Sequence, residues 1–276
     1  MFDRRDVLKG GTAGLAAGWL NLPPVAASAS EQGWRPLFNG RDLTGWTMFQ
    51  QGAEGGDPHH VVSIEKGTLH FLGPHYAGPD KATFGHVATE AEYSDYHLRL
   101  EFCWGERRFA PRALQRRNSG LLFHMRPERD RLFPDCVEFQ IEESDVGDAI
   151  MVNTRALQGP LLGGTPLWPN YLPFLPRTYQ EPVIAGDIAR QWHRHSGQFE
   201  RLDGWNTLDL YAFADKAAQL VNGRIVNTLF GMIDRTGTAL HKGRIALEFE
   251  AAEIRFRNVV IRNLSSDEIA RINSGA

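Results

Sequence analysis

Residues 136–143 read CVEFQIEE, with Glu138, Gln140 and Glu142 on every second position and Phe139 and Ile141 between them. A strand sends successive side chains to opposite faces, so this pattern predicts a strand with two carboxylates and an amide in one row and hydrocarbon behind. The reading extends outward. In RNSGLLFHMR (117–126), Asn118, Leu122, His124 and Arg126 fall on one face, and Leu121, Phe123 and Met125 on the other. In ALEFE (246–250), Glu248 and Glu250 oppose Leu247 and Phe249. If the three strands lie side by side, about 4.8 Å apart, their polar faces merge into one trough.

The same period recurs between turn residues along the chain. Strands are expected at His59 to Glu65, Thr68 to Leu72, His97 to Trp104, Gly120 to Met125, Cys136 to Glu142, Asn206 to Ala212, Gln219 to Val221, Arg224 to Thr228, Arg244 to Glu250 and Glu253 to Asn263. Lys66-Gly67 and Asn222-Gly223 stand where tight hairpin turns belong. Helical periodicity is confined to the first residues and to a short turn at Ser266 to Arg271, with Ser266 as its cap. Without helices between the strands there are no parallel crossovers, so the expected fold is an all-β antiparallel sandwich. Residues 157–197 have no period and are rich in Pro, Gly and aromatics, which predicts a long ordered flap over a binding surface.

The 276 residues are 42% hydrophobic, enough for one large core, and the formal charge of -3 argues against a nucleic-acid partner. Arg4 and Arg5, the apolar run to Leu20 and the small residues Ala27-Ser28-Ala29 read as a twin-arginine-type export signal over residues 1–29. The remaining chain, 30–276, then forms a single periplasmic or secreted domain with no membrane span in its mature form. Two cysteines, Cys103 and Cys136, are compatible with a disulfide or with two buried thiols. No CxxC or His/Cys ligand spacing marks a structural zinc site.

Four stretches together carry a resemblance: WRPLFNGRDLTGW (34–46), HVATEAEYSDYHLRLEFCWGE (86–106), RNSGLLFHM (117–125) with CVEFQIEESDVGD (136–148), and GRIALEFEAAEIRFRNVVIRNL (243–264). In this order they resemble the 3-keto-disaccharide hydrolase domain family. The resemblance implies a concanavalin A-like jelly roll whose concave sheet binds sugar. It also implies chemistry on glycosides already oxidised at C3, and hence an oxidoreductase elsewhere that makes the 3-keto sugar. ERRFAPRALQRR before NSG and EESDVGD after the third stretch depart from the family pattern, so the substrate can differ.

A ketone at C3 acidifies the hydrogen on C2, so the bond at C1 can break by elimination followed by hydration. Such chemistry needs a base at C2, a group supporting the enediolate, and an acid at the leaving oxygen. The residues expected to supply it are Glu138 as base, His124 as acid and Glu142 as second carboxylate. Asn118, Gln140, Arg126, Arg257, Glu248 and Trp168 are expected to contact substrate. His124 and Glu138 also suit a divalent metal ion, although no spacing demands one. Arg255 is read as neutralising the carboxylates, and Asp148 as a turn residue that the family's Gly-Asp pair keeps in play.

Two other functions fit the pattern. One is a retaining β-glucanase-like glycosidase, suggested by Glu138-x-Gln140-x-Glu142. It is disfavoured by the roughly 13 Å between i and i+4 on a strand, against the spacing of about 5–5.5 Å between two carboxyls that retention needs. The other is a non-catalytic carbohydrate-binding sandwich, with Trp168, Tyr171 and Phe174 as stacking surfaces.

Overall fold

The computed structural model describes residues 33–53, 55–128, 131–159 and 178–274. The expected export signal, and the part of the flap that holds Trp168, Tyr171 and Phe174, lie outside the described residues. Among the described residues no helix is long and apolar enough to cross a membrane.

Two antiparallel sheets face each other. The first runs β10 (Arg155–Gln158), β15 (Arg224–Ile233), β14 (Lys216–Val221), β13 (Asn206–Phe213), β6 (Tyr96–Arg108), β17 (Ala252–Asn263), β4 (Thr68–Phe71) and β3 (Val62–Glu65), with β1 (Arg35–Pro36) also paired to β17. The second runs β11 (Val183–Ala185), β12 (Ile188–His193), β9 (Ala149–Val152), β8 (Cys136–Glu142), β7 (Asn118–Met125), β16 (Arg244–Glu250), β5 (Phe84–Thr89) and β2 (Trp46–Gln50). The fold is therefore an antiparallel β-sandwich of jelly-roll type. Strands β8 and β16 have the bounds that alternation alone predicts.

Local chemistry explains the connections. Lys66-Gly67 and Asn222-Gly223 both adopt positive φ at both residues, as a type I′ hairpin turn requires, and they join β3 to β4 and β14 to β15. The helix α1 (Ser266–Ser274) is capped one residue earlier than expected. The Ser265 hydroxyl accepts from Glu268 N at 3.2 Å, and Glu268 Oε2 accepts from Ser265 N at 2.9 Å, a reciprocal capping box.

The core lies between the sheets. Phe71, Phe102 and Phe256 from the first sheet meet Phe123, Phe139 and Phe249 from the second, all fully buried. Each such ring contributes roughly 1.5–3 kcal/mol by burial. Because Phe123, Phe139, Leu247 and Phe249 point inward, their strand neighbours must point to the outer face of the second sheet. Cys103 and Cys136 are buried free thiols on different sheets, so they form no disulfide.

The expected flap is not featureless. Residues 183–193 form the β11–β12 hairpin at the edge of the second sheet, with Ala185 opposite Ile188 across the two-residue turn Gly186-Asp187. Gly-Asp is a hairpin signal, but the strands around it lack clean alternation because Arg190 and Gln191 both lie within one of them.

Candidate active site

The outer face of the second sheet is fixed by register. Gly120 on β7 stands opposite Gln140 on β8, Leu122 opposite Glu138, and Asn118 opposite both Glu142 and Glu250. On the other side, Glu248 of β16 pairs with His86 of β5. The three strands that alternation marked as polar-faced are thus neighbours, and their polar rows merge. One end of this face is hydrophobic: Leu122, Met125, Cys136, Ile150, Val152 and Ala246 form a small cluster, with Phe133 packed against it. The carboxylates occupy the adjoining stretch.

Gly120 sits at the centre of that stretch. A methyl group at this position would stand less than 3.0 Å from both Glu248 Oε2 and Glu138 Oε1. The two oxygens are therefore no more than twice that distance apart. Only the missing side chain leaves room for both carboxylates.

The hydrogen bonds tie the group together. With its amide oriented to suit its neighbours, Gln140 donates from Nε2 to Glu138 Oε1 and to Ser119 O at 3.2 Å. Asn118 Nδ2 donates to Glu250 Oε2. Arg112 Nη2 donates to Glu142 Oε1 at 2.8 Å. Arg112 comes from the basic stretch 106–117, whose Arg108 and Arg117 pair with Glu143 and Arg116 with Asp145. The two stretches that depart from the family pattern are therefore charge partners of each other.

Burial sets the protonation. Glu138 and Glu248 are 7% and 2% exposed. Burial, then the neighbouring Glu250, pushes Glu138 up to about 8, with Arg190 opposing. Burial, then Glu138 and Glu250, pushes Glu248 well above the usual carboxylate range. Glu250 is raised by burial too, against Arg112 and its bond from Asn118. Three glutamates this close and this dry cannot all be ionised, so the group holds protons near neutral pH. Arg190 of β12 is the cation whose field reaches all three.

Asp148, expected as a turn residue, is instead a fully buried hub. Its Oδ1 accepts from His195 N at 2.8 Å and Nδ1 at 2.7 Å, and its Oδ2 from Trp192 Nε1 at 2.7 Å and Arg194 Nη1 at 2.6 Å. Burial opposes ionisation, but these bonds hold the carboxyl below its ordinary value.

Several expected site residues lie elsewhere. His124 is not on the outer face. Between Leu122 and Met125, β7 carries one residue more than β16 does between Ala246 and Arg244, and His124 takes φ 49° in that bulge. The bulge reverses the alternation: Met125 joins the outer cluster, and His124 turns into the core beside Phe123 and Tyr96. It is fully buried, and burial, then His241, lowers it to about 3, so it is a neutral core imidazole and not an acid.

His124 and Glu138 cannot share a metal ion across the sheet, and among the described residues no group of three His, Cys, Asp or Glu side chains is placed to hold one. Arg126 turns away with the bulge and donates to Asp234 Oδ2 at 2.7 Å. Arg257 belongs to β17 on the first sheet, where it donates to Glu101 Oε2 at 2.7 Å and lies 3.9 Å over the Trp205 ring. Arg255, on the same strand, bonds Cys103 Sγ and Trp104 O rather than any trough carboxylate.

What the sequence reading missed is the flank: Arg112, Arg190 and Trp192. The last two ride on β12, and the Gly186-Asp187 turn was the signal that could have found them.

The sequence profile of the 3-keto-alpha-glucoside-1,2-lyase-like domain matches residues 33–262. No curated protein matches the chain. A Parabacteroides distasonis protein with a provisional glycosyl hydrolase description superposes with a TM-score of 0.50 at 17% identity, over 86% of this chain and 97% of its own. The carbohydrate-binding module CBM66 of Bacillus subtilis gives 0.48 at 11% identity, over 80% and 98%. The Bacillus licheniformis β-glucanase gives 0.47 at 11%, over 84% and 97%. At such identities the likeness concerns the fold. The profile match is of another kind, because it runs from β1 through nearly the whole of β17 and spans both sheets: this chain belongs to the 3-keto-alpha-glucoside-1,2-lyase-like domain family.

Proposed function

We propose that the chain cleaves 3-keto glycosides by removing the C2 proton and expelling the group at C1. The observation that carries this reading is the close pair Glu138 and Glu248, flanking Gly120 and sharing protons because both are buried. A buried pair of this kind supplies a base and an acid from one residue type. Family membership supports a carbohydrate-acting protein and agrees with this chemistry.

Glu138, the carboxyl in hydrogen bond with Gln140, takes the C2 proton. The electron pair moves to the C3 oxygen as an enediolate, for which Arg190 is the nearby cation. Its collapse restores the ketone, forms the C1=C2 double bond and breaks the C1–O bond. Glu248, which keeps its proton, gives it to the leaving oxygen. Addition of water across C1=C2 then gives the free 3-keto sugar. In this reading Asn118 and Gln140 contact substrate hydroxyls. An oxidoreductase must supply the 3-keto substrate.

Glu138→Gln tests the assignment on a 3-keto glucoside in D2O. Release of the aglycone and C2 exchange should both fall by at least about 100-fold, the usual worth of a positioned base. Unchanged turnover would sink the reading.

The carboxyl spacing also favours a second reading, a retaining glycosidase. The objection from strand rise applies within β8, whereas the pair observed comes from two strands, and both carboxylates stand less than 3.0 Å from the place a Gly120 methyl would take, so the rise along one strand does not separate them. Hydrolysis of an unoxidised glucan without C2 exchange would select it.

A further inference from the structure

Register sets one more group on the sugar-facing side. Glu138 lies opposite Ile150 of β9, and Ile150 opposite Trp192 of β12. Directly opposed residues in antiparallel strands project to the same side, so Glu138, Ile150 and Trp192 form one row. Trp192 is two strand spacings from Glu138, about 9.6 Å.

Its surroundings are those of a held ring and not of a core residue. Trp192 is 40% exposed, among the large hydrophobic side chains that remain open to solvent. Its only polar atom is already engaged, because Nε1 donates to the buried Asp148 Oδ2 at 2.7 Å. The Arg194 guanidinium stands 5.1 Å from the ring centroid and donates to that same oxygen, so it braces the indole from one side. Arg190, two residues back along the strand, is drawn off over Phe133 at 4.8 Å and does not cover the indole. A pinned, half-exposed aromatic with its N–H satisfied offers an apolar face at little entropic cost, which suits the C–H face of a pyranose ring.

We propose that Trp192 is the platform for the second ring of a disaccharide, the leaving group of the reaction, while the 3-keto ring lies over Glu138 and Glu248. This deepens the elimination reading and rests on it for the order of the two rings. Asp148 and Arg194 are positioning residues that fix the indole.

The test compares wild type, Trp192→Ala and Trp192→Phe. The ratio of kcat/KM on a 3-keto disaccharide to that on methyl 3-keto-glucoside should fall at least tenfold in Trp192→Ala, and Trp192→Phe should recover most of it. Calorimetry with the unoxidised disaccharide should show at least a tenfold loss of affinity in Trp192→Ala. An unchanged ratio and affinity in Trp192→Ala overturn the platform, as does a wild type that neither cleaves nor binds a disaccharide. If wild type binds the disaccharide, Trp192→Ala does not, and no 3-keto glycoside is cleaved, the platform stands and the elimination reading falls.

Discussion

Glu138 shows how little of a side chain's chemistry resides in its own identity. On a solvated strand it would be an ordinary acid. Here burial, then Glu250, pushes it up to about 8, while Arg190 pulls the other way. This ordering makes a signed prediction. If Glu138 is the base, kcat/KM should climb as pH approaches about 8, because only the ionised carboxylate can take the C2 proton. Removing the neighbouring charge with Glu250→Gln should move that ascending limb to lower pH. A limb that stays in place would show that Glu250 does not act on the base. The row of Glu138, Gln140 and Glu142 was legible from alternation alone. That Glu248 of a distant segment completes the pair was not, since the bare methylene of Gly120 and the pairing of β7 with β16 bring the carboxylates together.

At the scale of elements, the strand β7 decides the fate of His124. Alternation assigns His124 to the trough, and one extra residue moves it to the core. The bulge is possible because Gly243 approaches closely: a methyl there would stand less than 3.0 Å from His124 Cα and carbonyl carbon. Two outcomes follow. Replacing His124 with Asn, which tolerates the left-handed backbone, should keep turnover within about twofold of wild type, where loss of a general acid would cost about 100-fold or more. Gly243→Val should lower the melting temperature sharply, because backbone of β7 must shift and no flexible side chain can yield. The hairpin β11–β12 teaches the converse lesson. Its Gly-Asp turn was readable, but a strand, β12, that carries Arg190 and Trp192 outward and Gln191 and His193 inward has no hydrophobic alternation to announce it.

At the scale of the whole molecule, the carboxylate group couples stability to pH. A carboxyl raised from 4.5 to about 8 makes the folded chain bind more protons than the unfolded one. Its contribution is complete below about 4.5 and is lost as pH rises through 8. Asp148, held below its ordinary 3.8, acts in the opposite sense and loses its contribution only in acid. Thermal melts should therefore fall from pH 5 to pH 8.5, and Glu138→Gln should flatten that slope; an equal slope in the variant would mean that the glutamate is ionised when folded.

What the sequence determined by itself was the class of fold, most strand positions, two hairpin turns and the polar rows of β8 and β16, because side-chain period and turn chemistry act over a few neighbouring residues. Only the tertiary structure decided which carboxylates meet, which histidine is lost to the core, and that Arg112, Arg190 and Trp192 flank the glutamates. Strand order, a bulge and desolvation are relations between segments far apart in the chain, and no local pattern carries them.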